Sequence, residues 1–257
     1  MALKFPELED VSLGNSPLKQ VICQVRFAPL LRLAESLPAA FQEALRPNFP
    51  AFGVIRAAEV NVQGMAVSVP PNAPPEYVFT SADGKTEAHL GVDFVSLLSL
   101  AYSTWGVFNA TLNQVFQAFE ATYKKPLTTR IGLRYVNDLT QEVTDARSGE
   151  ELIEYLSPNL SCVLSNEAWT LPSGAILQLS LPNEGERLLL RMGYDSDPKP
   201  HVLLDFDYFI EISPPVEKGR EELLAEVNRF HRFVYRAFRW SIRNDKIETF
   251  MTGRPKR

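Results

Sequence analysis

Along residues 20–27 polar and apolar positions alternate, Val21, Cys23, Val25 and Phe27 against Gln20, Ile22, Gln24 and Arg26, which predicts a half-buried strand. Phe41 and Leu45 at helical spacing before Pro47 predict a short helix over 37–45. Residues 53–69 alternate loosely and run into Val69-Pro-Pro-Asn-Ala-Pro-Pro75, which reads as a surface connection because proline cannot donate to a sheet ladder. Residues 76–81 and 89–102 predict a hairpin around Asp83-Gly84, and in its second strand His89 and Asp93 share a face opposite Leu90, Val92 and Phe94. Phe108, Leu112, Val115, Phe119 and Tyr123 then form the stripe of a helix over 105–124, closed by Pro126.

The second half of the chain repeats this order. A strand over 128–139 turns Arg130, Gly132, Arg134 and Val136 one way and Ile131, Leu133, Tyr135 and Asn137 the other. A short helix near 149–156 and strands over 168–181, 187–193 and 201–212 follow. In the last of these Leu204, Phe206, Tyr208 and Ile210 alternate with Asp205, Asp207, Phe209 and Glu211. Ser213-Pro-Pro215 precedes a long helix over 216–244, buried along Leu223, Val227, Phe230, Val234 and Phe238. The pattern H-x-x-x-D-F stands at both 89–94 and 201–206, using two of only three histidines. It predicts a tandem duplication. The expected fold is α+β: an extended arm over 1–16, then two β-α-β-β-β-α halves, 17–125 and 126–257, forming one pseudo-symmetric domain. Its curved antiparallel sheet would be covered by the two long helices.

Composition narrows the setting. The 257 residues are 45% hydrophobic and 11% aromatic, enough for a sizeable core. A net charge of −5 argues against wholesale nucleic-acid binding and leaves room for a local basic patch. Cys23 and Cys162 stand far apart with no C-x-x-C, the pattern of reduced thiols in a cytoplasmic protein. The opening residues lack an apolar signal core, and no run approaches the roughly 18 apolar residues of a membrane span, so no membrane association is expected.

Three sets of residues could carry chemistry. Arg130 and Arg134 with Asn137, near Asp93, Asp205 and Asp207, could receive an anionic ligand at the pseudo-twofold sheet surface, since a guanidinium fork binds carboxylate or phosphate bidentately. The alternative is that these arginines pair internally with the aspartates. Arg229, Arg232, Arg236, Arg239 and Arg243 make one ridge of the last helix, bordered by Phe233 and Trp240, which could bind nucleic acid or an acidic protein; a solvated, charge-paired helix face is the alternative. His89 and His201 with the repeated aspartates could serve a metal-dependent hydrolase, although residues four apart on a strand stand about 13 Å apart, so strands of both halves would have to meet. No nucleophile elbow, zinc-protease, phosphate-loop or dinucleotide motif is present, and no residue pattern names a cofactor. The expectation is a non-enzymatic binding or interaction protein.

The strand Arg130-Ile-Gly-Leu-Arg-Tyr-Val-Asn137 resembles the central R-x-G-x-R-Y-x-N signature of a sporadically distributed family of uncharacterised bacterial proteins of about this length. Pro17-Leu18, Val25-Arg26-Phe27 and Pro29 at the front, and His231, Phe238 and Ile242-x-x-Asp245 at the end, are similar to that family's termini. The resemblance implies no activity. Its scattered distribution implies an accessory component, such as one of a defence or mobile-element system; the partner expected from the residues is an anionic small molecule or another protein of the same system, with nucleic acid as a further candidate.

Overall fold

Strand β8 (Leu127–Thr140) shows why the chain folds as it does: Ile131, Leu133, Tyr135, Asn137 and Leu139 are buried, while Arg130, Arg134, Val136 and Asp138 on the opposite face are half-buried. A strand so divided needs a core on one side only. The computed structural model describes residues 2–7, 13–56, 59–61, 66–68 and 74–251. Before β8 come β1 (Leu18–Phe27), α1 (Arg32–Glu35), α2 (Ala39–Leu45), β2 (Ala51–Arg56), β3 (Glu59–Asn61), β4 (Ala66–Ser68), β5 (Pro75–Thr80), β6 (Thr86–Leu90), β7 (Phe94–Ser99) and α3 (Trp105–Tyr123). After it come α4 (Gly149–Ile153), α5 (Pro158–Ser161), β9 (Gly174–Asn183), β10 (Glu186–Asp195), β11 (His201–Glu217), α6 (Arg220–Ser241), a 3-10 turn (Asn244–Lys246) and α7 (Ile247–Met251).

The fold is α+β, with one open antiparallel sheet of nine strands in the order β2-β5-β6-β7-β1-β8-β11-β10-β9 and a separate β3-β4 ribbon. Two hydrogen bonds fix β1 against β8: Ala28 N–H donates to Leu127 O and Asp138 N–H to Pro17 O, so the residue numbers of each pair sum to 155, as antiparallel register requires. Among the described residues no helix is long and apolar enough to cross a membrane.

Several expected boundaries are corrected. Residues 89–102 are not one strand. β6 ends at Leu90 and β7 starts at Phe94, with Leu90 paired to Val95 and Gly91 N–H donating to Phe94 O across a tight turn. Gly91 leaves room for the Phe94 ring, which a Cβ there would meet at 2.3 Å and displace. His89 and Asp93 therefore do not share a strand face, and the first H-x-x-x-D-F bends where the second runs straight through β11. Ser213-Pro-Pro215 does not break the chain but lies within β11, which runs on to Glu217, in the part beyond Ile210 where the β10 ladder has stopped. The final helix starts later, at Arg220. β9 starts at Gly174 rather than near 168, because Asn166 closes a turn with Trp169 O and Ala168 N. The run 69–73 and arm residues 8–12 lie outside the described residues.

The chain divides into two compact units. One comprises Met1–Val21, Leu133–Ile210 and Asn228–Arg257. Its core alternates inward from β10 (Leu188, Leu190, Met192) and β11 (Val202, Leu204, Phe206, Tyr208), and takes Phe230, Val234 and Phe238 from α6. Tyr208 packs edge-on to Phe230 at 5.0 Å and stacks on Phe233 at 4.0 Å. The other unit comprises Ile22–Gly132 and Glu211–Val227. Here Thr104 caps α3 by accepting from Val107 N–H, and the helix buries Phe108, Leu112, Val115, Phe119 and Tyr123, the stripe its spacing predicts. Phe119 meets Phe27 at 5.0 Å, and Phe41 meets Phe79 at 5.2 Å. Each such buried aromatic contributes about 1.5–3 kcal/mol.

Candidate functional site

The residues of the first unit build a charged row on the face of the sheet turned away from its core. In β11 the even positions 202–208 are buried in the core, so Leu203, Asp205, Asp207 and Phe209 point the other way. In β10 the odd positions do the same, and the ladder sets Arg191 directly opposite Asp205. In β9 Gln178 is directly opposite Arg191. β8, the neighbour of β11 on its other side, contributes Arg134. Gln178, Arg191, Asp205 and Arg134 thus form one transverse row over four adjacent strands.

Every member is hydrogen-bonded along the row. Arg134 donates from Nε to Asp205 Oδ1 and from Nη2 to Oδ2, both at 2.8 Å, a bidentate fork. Arg191 donates from Nη1 to Asp205 Oδ2 at 2.8 Å and from Nε to Gln178 Oε1 at 3.1 Å. Asp205 is only 2% exposed although it lies on the outer face, because the two guanidinium groups cover it. Their own side chains stay 41% and 35% exposed. The hydrogen bonds to Asp205, opposed by partial burial and aided by the charges of Asp205 and Asp207, hold the proton of Arg134 more firmly than usual. Among the described residues Nη1 of Arg134 and Nη2 of Arg191 have no hydrogen-bond partner. The row therefore offers two oriented donors on a built frame.

Other expected members lie elsewhere. Asn137 is turned to the buried face, where its side-chain amide donates to Leu204 O, so it does not join the arginines. In the second unit Arg130 pairs with Glu211 at 3.3 Å and Asp93 with Arg26 at 3.6 Å. Asp207 is half-buried on the outer face and acts on Arg134 through its charge.

The helix ridge is largely used by the chain itself. Arg229 forks onto Glu186, which also accepts from the Tyr208 hydroxyl; Arg243 forks onto Asp245. Arg236 meets Glu7 at 3.4 Å, and Arg239 donates to the Tyr235 hydroxyl. Trp240 and Phe233 both receive the ring of Phe5, at 5.5 and 5.4 Å, while Leu3 N–H donates to the Asn183 side chain. Residues 2–7 of the arm thus lie on the aromatic border expected as a stacking surface, and of the five arginines Arg229, Arg232 and Arg243 are exposed while Arg236 and Arg239 are half-buried.

The histidines have partners of their own. His89 Nδ1 lies 2.6 Å from Glu76 and Nε2 3.1 Å from Glu87, opposite ring edges bound to different carboxylates; His201 Nδ1 lies 3.3 Å from Lys199 O. Among the described residues no three His, Cys, Asp or Glu side chains could hold a metal ion. Burial pulls the His89 pKa down, but the hydrogen bonds to and charges of Glu76 and Glu87 outweigh it and leave it above the usual 6.5. A folded pKa raised in this way stabilises the protein fully below about pH 6.5 and loses that contribution as pH rises through the folded value. The stability gap between the native chain and His89→Gln, followed by urea unfolding, is expected to be widest at pH 5.5–6 and to narrow towards pH 8; a gap that widens with pH contradicts the assignment.

Nothing in the sequence around Arg191 and Gln178 singles them out as site residues. The two-residue turn Glu184-Gly185 between alternating strands was the available signal, since it sets the register that puts them opposite each other. Comparison of the chain with protein-family models finds no match, and no curated protein matches it.

Proposed function

We propose that this protein is a non-enzymatic binding protein whose ligand carries an anionic group, a carboxylate or phosphate on a small molecule or a partner protein, received by Arg134 and Arg191. The observation that carries the proposal is two half-exposed guanidinium groups fixed on one buried carboxylate, a unit of net charge +1 in which each arginine has a donor without a hydrogen-bond partner among the described residues. Orienting the arginines in advance reduces the side-chain ordering cost of binding. The resemblance carried by 130–137 supports reading the protein as an accessory bacterial component, and its two free cysteines are compatible with a reducing cytoplasm.

The proposal extends to ancestry. The element order β8, short helices, β9, β10, β11, α6 follows the β-α-β-β-β-α plan, and β1 through α3 follows it with added strands, which supports a tandem duplication with the two long helices packed on the sheet.

The test is calorimetric titration of the native chain with pyrophosphate at low salt. Binding is expected and should weaken steeply with added salt. The pair Arg134→Gln and Arg191→Gln, in which each glutamine can still donate to Asp205, lowers affinity by roughly a hundredfold, the loss of two charge-assisted hydrogen bonds. Arg232→Gln leaves it unchanged. An affinity that survives the double substitution, or falls with Arg232→Gln instead, overturns the proposal.

A further inference from the structure

Strand β9 ends the sheet, and its only neighbour among the described strands is β10. Natural edge strands are commonly blunted by charges, bulges or covering loops. This one carries no charged residue from Gly174 to Asn183, every residue in it is half-buried or exposed, and Ile176 is 89% exposed. Its backbone directions follow from the ladder. The turn Glu184-Gly185, with φ of 50° and 92°, closes a two-residue hairpin whose flanking pair Asn183 and Glu186 is hydrogen-bonded. Ser196 N–H donating to Ser173 O continues the ladder with the same parity. The odd positions from 175 to 183 therefore bond to β10, and Gly174, Ile176, Gln178, Ser180 and Pro182 present their backbone groups outward. Pro182 fits this assignment, having no N–H to leave unmade.

We infer that β9 pairs antiparallel with β9 of a second copy of the chain about a two-fold axis at Gln178, joining two sheets edge to edge. A two-fold perpendicular to the sheet sets each residue opposite one of its own parity. Centred on Gln178, it places Gly174 opposite Pro182, Ile176 opposite Ser180, Ala175 opposite Leu181 and Leu177 opposite Leu179. The outward N–H groups of 174, 176, 178 and 180 then meet the carbonyls of 182, 180, 178 and 176 in the other copy, so each of these donors is satisfied. Proline's missing donor falls at the end of the ladder. Sliding the axis to Leu179 puts Ile176 opposite Pro182 and carries Gly174 past the strand end. In the favoured register leucines face leucines or alanine on one side, Gln178 meets its own amide on the other, and no like charges are opposed. An unrelated strand would have to supply all of these matches independently.

The test is molar mass by light scattering and sedimentation velocity of the full chain at about 5–100 µM, with two variants. The native chain is expected at twice 28.9 kDa. Ile176→Pro removes a central outward donor from a residue whose side chain is already in solvent, and Gln178→Glu keeps an acceptor for Arg191 while setting two carboxylates opposite each other across the axis. Both are expected to keep the native far-ultraviolet circular dichroism and thermal midpoint and to raise the dimer dissociation constant at least tenfold. A monomeric native chain overturns the inference. So does a dimer indifferent to either variant, because each interrupts the same register by a different means.

Discussion

Asp205→Ala lowers the free energy of unfolding by about 3 kcal/mol, near the lower end for a broken buried ion pair because both arginines remain partly in water. The carboxylate accepts three hydrogen bonds, two from Arg134 and one from Arg191, and its removal leaves two guanidinium groups adjacent with nothing between them. Urea unfolding followed by circular dichroism measures the loss, and added salt should recover part of it by screening the repulsion. Pyrophosphate should also bind less tightly to this variant despite the gain in positive charge, since Asp205 is what orients the donors. A variant as stable as the native chain would mean that the row is surface decoration.

Phe230→Ala is expected to cost about 3–5 kcal/mol by the same measurement. The ring is wholly buried, meets Tyr208 edge-on at 5.0 Å and sits on the α6 stripe between Val227 and Val234. Alanine leaves a cavity that the surrounding β-branched and aromatic side chains cannot collapse into. Tyr208 stands next to it with a hydroxyl bonded to Glu186 and Asn183, so the cavity also loosens the group that holds Arg229 and, through Asn183, Leu3. A loss below about 1 kcal/mol would contradict this packing.

Hydrophobic periodicity made the helices and straight strands legible. The stripe of α3 and the alternation of β8 and β11 are buried as their spacing predicts, because one face of each must leave water. The turn at 91–94 was hidden because Val92 and Phe94 continue the alternation through it; only Gly91, crowded by the Phe94 ring, marks the bend. That bend is why a six-residue repeat lies in two different backbone paths. Half of the candidate row was legible too: Arg134 and Asp205 were marked as charges on strand faces, and Asp205 was among the expected partners of the arginines. Arg191 and Gln178 depend on register across two further ladders, which is set by turns and cannot be read from one strand. Asn137 was drawn into the site by its neighbours in sequence, although its odd position sends it to the buried face. The ridge arginines were regular in spacing but gave no hint that Glu186, Glu7 and Phe5, remote in sequence, would lie against them.

The most direct test of the central claim, that the Arg134 and Arg191 pair receives an anion, is nuclear magnetic resonance of the arginine Nε–Hε groups of the native chain during titration with pyrophosphate. The account predicts saturable shifts at Arg134 and Arg191, with Arg229 and Arg243, already forked onto Glu186 and Asp245, unmoved. Shifts confined to the arginines of α6, with Arg134 and Arg191 silent, would contradict it.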